Sequence, residues 1–486
     1  MSMDQQKISK FLFLAFAILI GVSKFWFHEL WKDEWQAWFV ASDQSLLEIL
    51  SFLNYEGHPA LWYLYLKGLS GLEFLFVDNP EWLIQIGHYI LVLAMGYVFF
   101  LKFKMHWILK LVFALSYFMS FEYSIVNRGY VLVILLSYWI TYLMHEQTTI
   151  TSNRKWIIPV LLFLLCQTEV YGVLLAGGFV SYLLISSFKS YKTLGSTLKK
   201  HSLHLIGLFT GLGIFVLTVF PRGNRDDFSR AYVSSFFDGD AMLDAFQGLW
   251  ANNFLIGSIP DTSANGWSSL GLILSILVML SMASVFWKRK KLLIVLGVTF
   301  LAFYLFAVNI YNGGIRQWGM LFMFFICLVE LANFHNFKKY KFHLLPILVF
   351  SIFHTIHSAK SFYTDFTQPF TNAEKAGLFL KENVPQNVPI ITAHKFESTP
   401  VIGYADRAFY ELPSGEPFTY FKWLEKIYLT TEEELALFAK FKKVAGIIYV
   451  SPEPIDVRRF PKMQEWKVFS DPNYKRENYY IYSLQF

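Results

Sequence analysis

From residue 9 to about residue 360 the chain is a succession of long apolar runs separated by short charged clusters. A helix that spans a bilayer needs roughly 20 mostly apolar residues. Such runs fall, approximately, at 9–27, 82–101, 105–121, 129–145, 156–169, 170–188, 203–221, 267–287, 292–311, 316–333 and 342–359, which predicts about eleven spans. The stretch 59–77 is apolar and aromatic but carries Lys67, Glu73 and two glycines. Its mixed charge fits a helix lying in the membrane interface. Beyond residue 370 the pattern changes. AEKAGLFLKEN (373–383) has helical spacing, and Thr431 with Glu434 forms a capping-box start for a second helix. VPIITAH (388–394), VAGIIYV (444–450) and ENYYIYSL (477–484) have the composition of strands. The expected fold is therefore an α-helical polytopic membrane protein with a small C-terminal α/β domain. Residues 1–360 form the membrane domain, with a first outer loop at 28–81 and a large outer loop at 222–266, and 371–486 form the α/β domain.

Composition agrees with this class. Hydrophobic residues make up 55% of the 486, charged residues only 16% and aromatics 19%, far from a soluble average. No small-residue cleavage site follows the first apolar run; Lys24, Trp26, His28 and Trp31 do, so the first helix is expected to be retained. Cys166 and Cys327 both lie in apolar runs and suggest neither a disulfide framework nor a metal site.

Charge then sets the orientation. Basic clusters sit at Lys102/Lys104/Lys110, Arg154/Lys155, Lys189/Lys192/Lys199/Lys200, Lys288–Lys291 and Lys338/Lys339/Lys341. If 59–77 does not span, all of them fall on the side of the N-terminus, which the positive-inside rule makes cytoplasmic. The net charge of +6 is accounted for by that rim, and no nucleic-acid partner is implied. The C-terminal domain is then expected outside the cytoplasmic membrane. The outer connections hold mixed charges at helix ends, which suggests a site.

Each candidate there has two readings. Asp33 and Glu34, in WKDEWQAW (31–38), are either a charge pair that stops the first helix from sliding inward or an acid–base group; partial desolvation raises a carboxylate's pKa, which suits a general base. In EGHPALWY (56–63), His58-Pro59 either starts the interfacial helix, or Glu56 and His58 join Asp33 around an acceptor or a divalent cation, although the spacing is no recognised metal motif. Arg128 in NRGY and Arg316 in NGGIRQWG either snorkel to headgroups or offer fork-shaped cations to a phosphate; Gly313-Gly314 would allow close backbone approach to a ligand. Glu122 is a further acid on this side. Glu169, in CQTEVYG between two apolar runs, is either a helix–helix hydrogen-bonding group or a functional acid. Arg222 and Arg225 belong to PRGNRDDFSR (221–230), either a solvated charge run or a segment that orders over a lipid phosphate. No Walker loop, dinucleotide fingerprint or serine or cysteine elbow is present.

A first membrane helix followed by Asp33-Glu34, then His58-Pro59, then many spans with Arg316 in an Arg-x-x-Gly setting and an outer tail, resembles the GT-C superfamily of integral-membrane glycosyltransferases. The likeness is to the branch of protein O-mannosyltransferases and bacterial aminoarabinose transferases (glycosyltransferase family 39). Pro59 is followed by Ala60 where that family often has a second proline. The resemblance implies a sugar donor activated on a polyprenyl phosphate, and a lipid, glycan or protein acceptor, with membrane lipids around the chain. It implies Asp33 as base, with Glu34 beside it, and Arg128 and Arg316 as a clamp on the leaving phosphate. The expected course is direct displacement with inversion. The rival class is a polytopic transporter or lipid flippase. Those tend to show paired repeats with charges near mid-bilayer, and no repeat of fixed period is seen here.

Overall fold

The computed structural model describes residues 3–76, 79–145, 155–191, 193–220, 238–256, 268–334, 337–412, 414–422 and 431–486. Among them, six helices are long and apolar enough to cross a membrane: Met3–Trp26, Pro80–Lys102, Val170–Phe188, Ser202–Val219, Lys290–Asn309 and Lys339–Thr367. Tyr130–His145, Ile157–Cys166 and Ser269–Val285 are shorter apolar helices. The chain is a multi-pass membrane protein, and helices occupy the predicted apolar runs. One of those runs is interrupted. The stretch 105–121 forms a helix only over Trp107–Ala114, then breaks and resumes as a π-helical turn, Phe118–Glu122. The stretch 59–77 contains the helix Ala60–Ser70.

Contacts divide the chain into two units: 1–21, 57–62 and 86–361 in the first, and 22–56, 63–85 and 362–486 in the second. The division is not a single cut near residue 360. In the first unit, Ile315–Leu331 is buried continuously from Gly319 to Glu330, and Tyr130–His145 is buried nearly all round. Helices apolar on every face belong to an interior, so these two are central. By contrast Ser202–Val219 keeps Ile206, Phe209 and Leu217 exposed, as contact with lipid requires. Its other face packs tightly: a Cβ on Gly207 or Gly211 would collide with Pro159 or Cys166 of the helix Ile157–Cys166. Small residues allow such close crossing in membranes. The expected outer loop 222–266 contains a helix, Gly239–Gln247, whose N-cap Asp238 accepts from the amides of Asp240 and Ala241. It is followed by a π-helical turn, and Asn253 Nδ2 donates to the carbonyl of Trp318 at 3.0 Å.

The second unit carries a six-stranded mixed sheet of order β3-β2-β1-β4-β6-β5. Its strands are β1 (Ile390–Ile391), β2 (Phe409–Tyr410), β3 (Pro417–Phe418), β4 (Gly446–Ser451), β5 (Met463–Phe469) and β6 (Tyr479–Gln485). β1 runs parallel to β2 and β4, while β6 is antiparallel to both β4 and β5. The expected helix at Thr431 is present, and both halves of its capping box form: Glu434 N–H donates to Thr431 Oγ1 and Thr431 N–H to Glu434 Oε2. Leu435, Phe438 and Ala439 of that helix pack on Ile391, Ile447, Tyr449, Tyr482 and Leu484. The first outer segment is part of this unit. Its helix Lys32–Asp43 lies against the helix Lys395–Ala405: the Trp35 and Tyr404 rings meet edge-to-face with centroids 5.3 Å apart. Gly403 is where they touch, since any Cβ there would overlap the Trp35 indole.

Candidate functional site

Of the residues singled out by sequence, five belong to the first unit and three to the second, while Arg222 and Arg225 lie outside the described residues. In the first unit, four segments converge. Leu61 N–H donates to Gln167 O at 3.0 Å. A Cβ on Gly129 would sit 3.0 Å from Trp62 and 3.6 Å from Glu169 Oε1. Gln317 Nε2 donates to Tyr130 Oη at 3.0 Å, and Tyr123 Oη donates to the carbonyl of Arg316 at 2.5 Å.

The charged groups occupy this junction. Glu169 lies in the three-residue break between Ile157–Cys166 and Val170–Tyr191, where its carbonyl accepts from Gly172 N–H and starts the next helix. Its side chain, 6% exposed, meets His58 Nδ1 at 2.7 Å, while His58 itself is 30% exposed. The π-helical turn ends on Glu122. Such turns recur at functional sites, and this one aims a carboxylate at two partners: Tyr117 Oη donates to Oε2 at 2.6 Å, and Arg316 Nε pairs with Oε1 at 3.2 Å. Arg128 is half-buried, its guanidinium 5.6 Å from the centre of the Tyr130 ring. Gly313 adopts φ +78°, a conformation other residues resist, and it turns the chain into the helix Ile315–Leu331. The Gly314 N–H is taken by Gln317 Oε1 at 3.0 Å, so that backbone donor serves the helix start. The network sets two arginines among two carboxylates and three tyrosines. A guanidinium has five donors, and Glu122 engages Arg316 through Nε.

The second unit holds Asp33, Glu34 and Glu56. Asp33 is half-buried in the first turn of Lys32–Asp43. Glu34 is fully buried and does two things: Oε2 accepts from the Trp31 N–H at 2.5 Å, half of a capping box, and Oε1 lies 3.6 Å from His28 Nε2. Glu56 accepts from Gln36 Nε2 at 2.8 Å and from Tyr63 Oη at 3.0 Å, and Gln36 is in turn tied to the backbone of Phe421. Lys32 pairs with Glu477 at 2.8 Å. Burial and the nearby Glu374 carboxylate push Glu29 up to about 8. Sequence reasoning missed His28 and Asp365, which pair at 3.4 Å although 337 positions apart, and it missed the tyrosines Tyr117, Tyr123 and Tyr130. A usable signal existed for Asp365: an acid close to an apolar run is expensive and points to a partner. Among the described residues no three His, Cys, Asp or Glu side chains gather to hold a metal ion.

Membrane-length helices that carry this polar junction, with a small C-terminal α/β unit, are the fold class that the sequence led us to expect. Solved structures give the particular likeness. The chain is similar to ArnT from Cupriavidus metallidurans bound to undecaprenyl phosphate, with TM-score 0.56 and 10% identity over 97% of each chain. The apo form of the same ArnT gives TM-score 0.52 with the same identity and coverage. The apo oligosaccharyltransferase of Archaeoglobus fulgidus matches at TM-score 0.48 and 12% identity, over 91% of this chain and 69% of that one. No family model and no curated protein matches the sequence. At such identity the likeness is one of fold.

Proposed function

We propose that this protein transfers a sugar from a polyprenyl-phosphate donor to an acceptor hydroxyl at the outer face of the cytoplasmic membrane, with inversion at the sugar carbon. The observation that carries the reading is the arginine–carboxylate junction of the first unit, in a fold shared with a protein captured on a polyprenyl phosphate. Asp33 takes the acceptor proton. The acceptor oxygen bonds to the anomeric carbon as that carbon's bond to the donor phosphate breaks. The phosphate leaves with the electron pair, and Arg128 and Arg316 receive its charge. A phosphate leaves readily, so no general acid is needed. Glu122 orients Arg316, and Glu169 orients His58 toward substrate. Glu34 supports Asp33 through the helix cap. The orientation rests on the basic clusters lying on one side.

The test is transfer of label from radiolabelled polyprenyl-phosphate sugars to extracted envelope, with Asp33→Asn beside the native protein. Losing a positioned base costs on the order of 100- to 10,000-fold, so the variant should be nearly silent while still binding donor lipid. Near-normal turnover by Asp33→Asn would remove Asp33 from this role.

A further inference from the structure

Four ionisable side chains are buried together in the second unit: Lys24 at the end of the first helix, His28 just beyond it, Glu34 and Asp365. The imidazole lies 3.6 Å from Glu34 Oε1 through Nε2 and 3.4 Å from Asp365 Oδ2 through Nδ1. Phe370 packs edge-on against the ring at 4.5 Å, and Gln85 Nε2 donates to the His28 carbonyl at 3.1 Å. Glu29 is a further charged neighbour.

Burying charges is costly, and apolar replacement of a buried ion pair is often neutral or stabilising. Stability is therefore a poor explanation for such a cluster; fixed position is a better one. The route is short. Glu34 faces His28 with one oxygen and accepts the Trp31 amide with the other, and that amide starts the helix whose first turn carries Asp33. We infer that His28, clasped between Glu34 and Asp365, is a positioning residue that sets the angle of the Asp33 carboxylate by locking the first turn of its helix to the end of the last membrane helix. The inference rests on the reading of Asp33 as the base.

The clasp requires a cationic imidazole. Burial alone would lower its pKa, but Asp365 and Glu34 outweigh burial and raise it to about 9. The folded value lies above the ordinary 6.5, so the clasp is fully present below pH 6.5 and is lost as pH rises through about 9.

The experiment is the pH profile of kcat for donor-sugar transfer between pH 6 and 10 in the native protein, His28→Gln, Asp365→Asn and Glu29→Gln, with melting temperature and polyprenyl-phosphate affinity followed alongside. The native protein should lose kcat through pH 9, and Glu29→Gln should keep that limb. His28→Gln and Asp365→Asn should each have kcat lowered about 10- to 100-fold, as small misplacements of reacting groups cost, with the limb gone and KM for the donor unchanged. A native profile without a limb near pH 9 overturns the inference, and needs no variant to fold. So does a His28→Gln protein that keeps both native kcat and the limb. An active Asp33→Asn protein sinks the base reading instead, whatever His28→Gln does.

Discussion

Arg316→Lys separates a phosphate clamp from a headgroup anchor. Arg316 is 16% exposed and Glu122 is 6% exposed, with Nε and Oε1 3.2 Å apart. Removing the cation outright by Arg316→Ala would leave Glu122 buried without it, a loss of about 3–5 kcal/mol that would confound binding with folding. Lysine keeps the charge and can still reach Glu122, but as a point donor it can no longer hold Glu122 with one edge and a phosphate with the other. One charge-assisted hydrogen bond contributes about 1.5–3 kcal/mol; at 1.4 kcal/mol per decade, binding should weaken about 10- to 150-fold. The assay is equilibrium binding of sugar-free polyprenyl phosphate to detergent-solubilised protein. Arg128→Ala should weaken binding as well, and the double variant should lose less than the sum, as side chains sharing a ligand are coupled. An unchanged Kd in both single variants would refute the clamp and leave both arginines as membrane anchors.

Reporter fusions at Lys200 and Lys290 should read as cytoplasmic and a fusion at the C-terminus as outside; a cytoplasmic C-terminus would overturn the orientation and the proposed location of the chemistry. Glu29 has a folded pKa of about 8 against an ordinary 4.5, so its contribution is present below pH 4.5 and lost as pH rises through 8. Glu29→Gln, which keeps an acceptor for the Thr371 amide, should therefore melt increasingly above the native protein between pH 6 and 9, and a constant difference would count against a Glu29 carboxyl held protonated by burial and by the nearby Glu374. Gly403→Ala should destabilise by about 1–3 kcal/mol, read as a lower melting temperature, because the added methyl meets the Trp35 indole; an unshifted melt would show that the two helices can part without loss.

Hydropathy made the membrane helices legible because one property, length of apolar run, decides them. It could not show that 105–121 breaks after Ala114 and resumes as the turn that ends on Glu122, since the sequence stays mostly apolar through the break. In the tail, Thr431 with Glu434 and the runs at 390 and 447 carried their own signals, but Lys395–Ala405 hides its helix behind Pro400, and β5 alternates weakly and carries a register shift between Glu465 and Lys467. The charged residues at helix ends could be named one by one. Their partners could not, because pairs such as His58 with Glu169 or Glu122 with Arg316 are made by tertiary packing across more than a hundred positions. Glu34 reads from sequence as the twin of Asp33, yet the helical turn sends the two in different directions, one fully buried and one half-buried.

The joint core of the first outer segment and the tail constrains how this chain can be rebuilt or inherited. Trp35 is packed on Gly403 and Tyr404, the Leu30 N–H donates to Tyr404 Oη at 2.7 Å, and Gln36 is bonded to the Phe421 backbone. A tail grafted from a relative would arrive without the surface that Trp35 was shaped to fill. A tail expressed alone would present that surface bare to water. Exchange among relatives should therefore move residues 22–56, 63–85 and 362–486 as one inherited block, even though several hundred residues of membrane protein are encoded between the first two and the last.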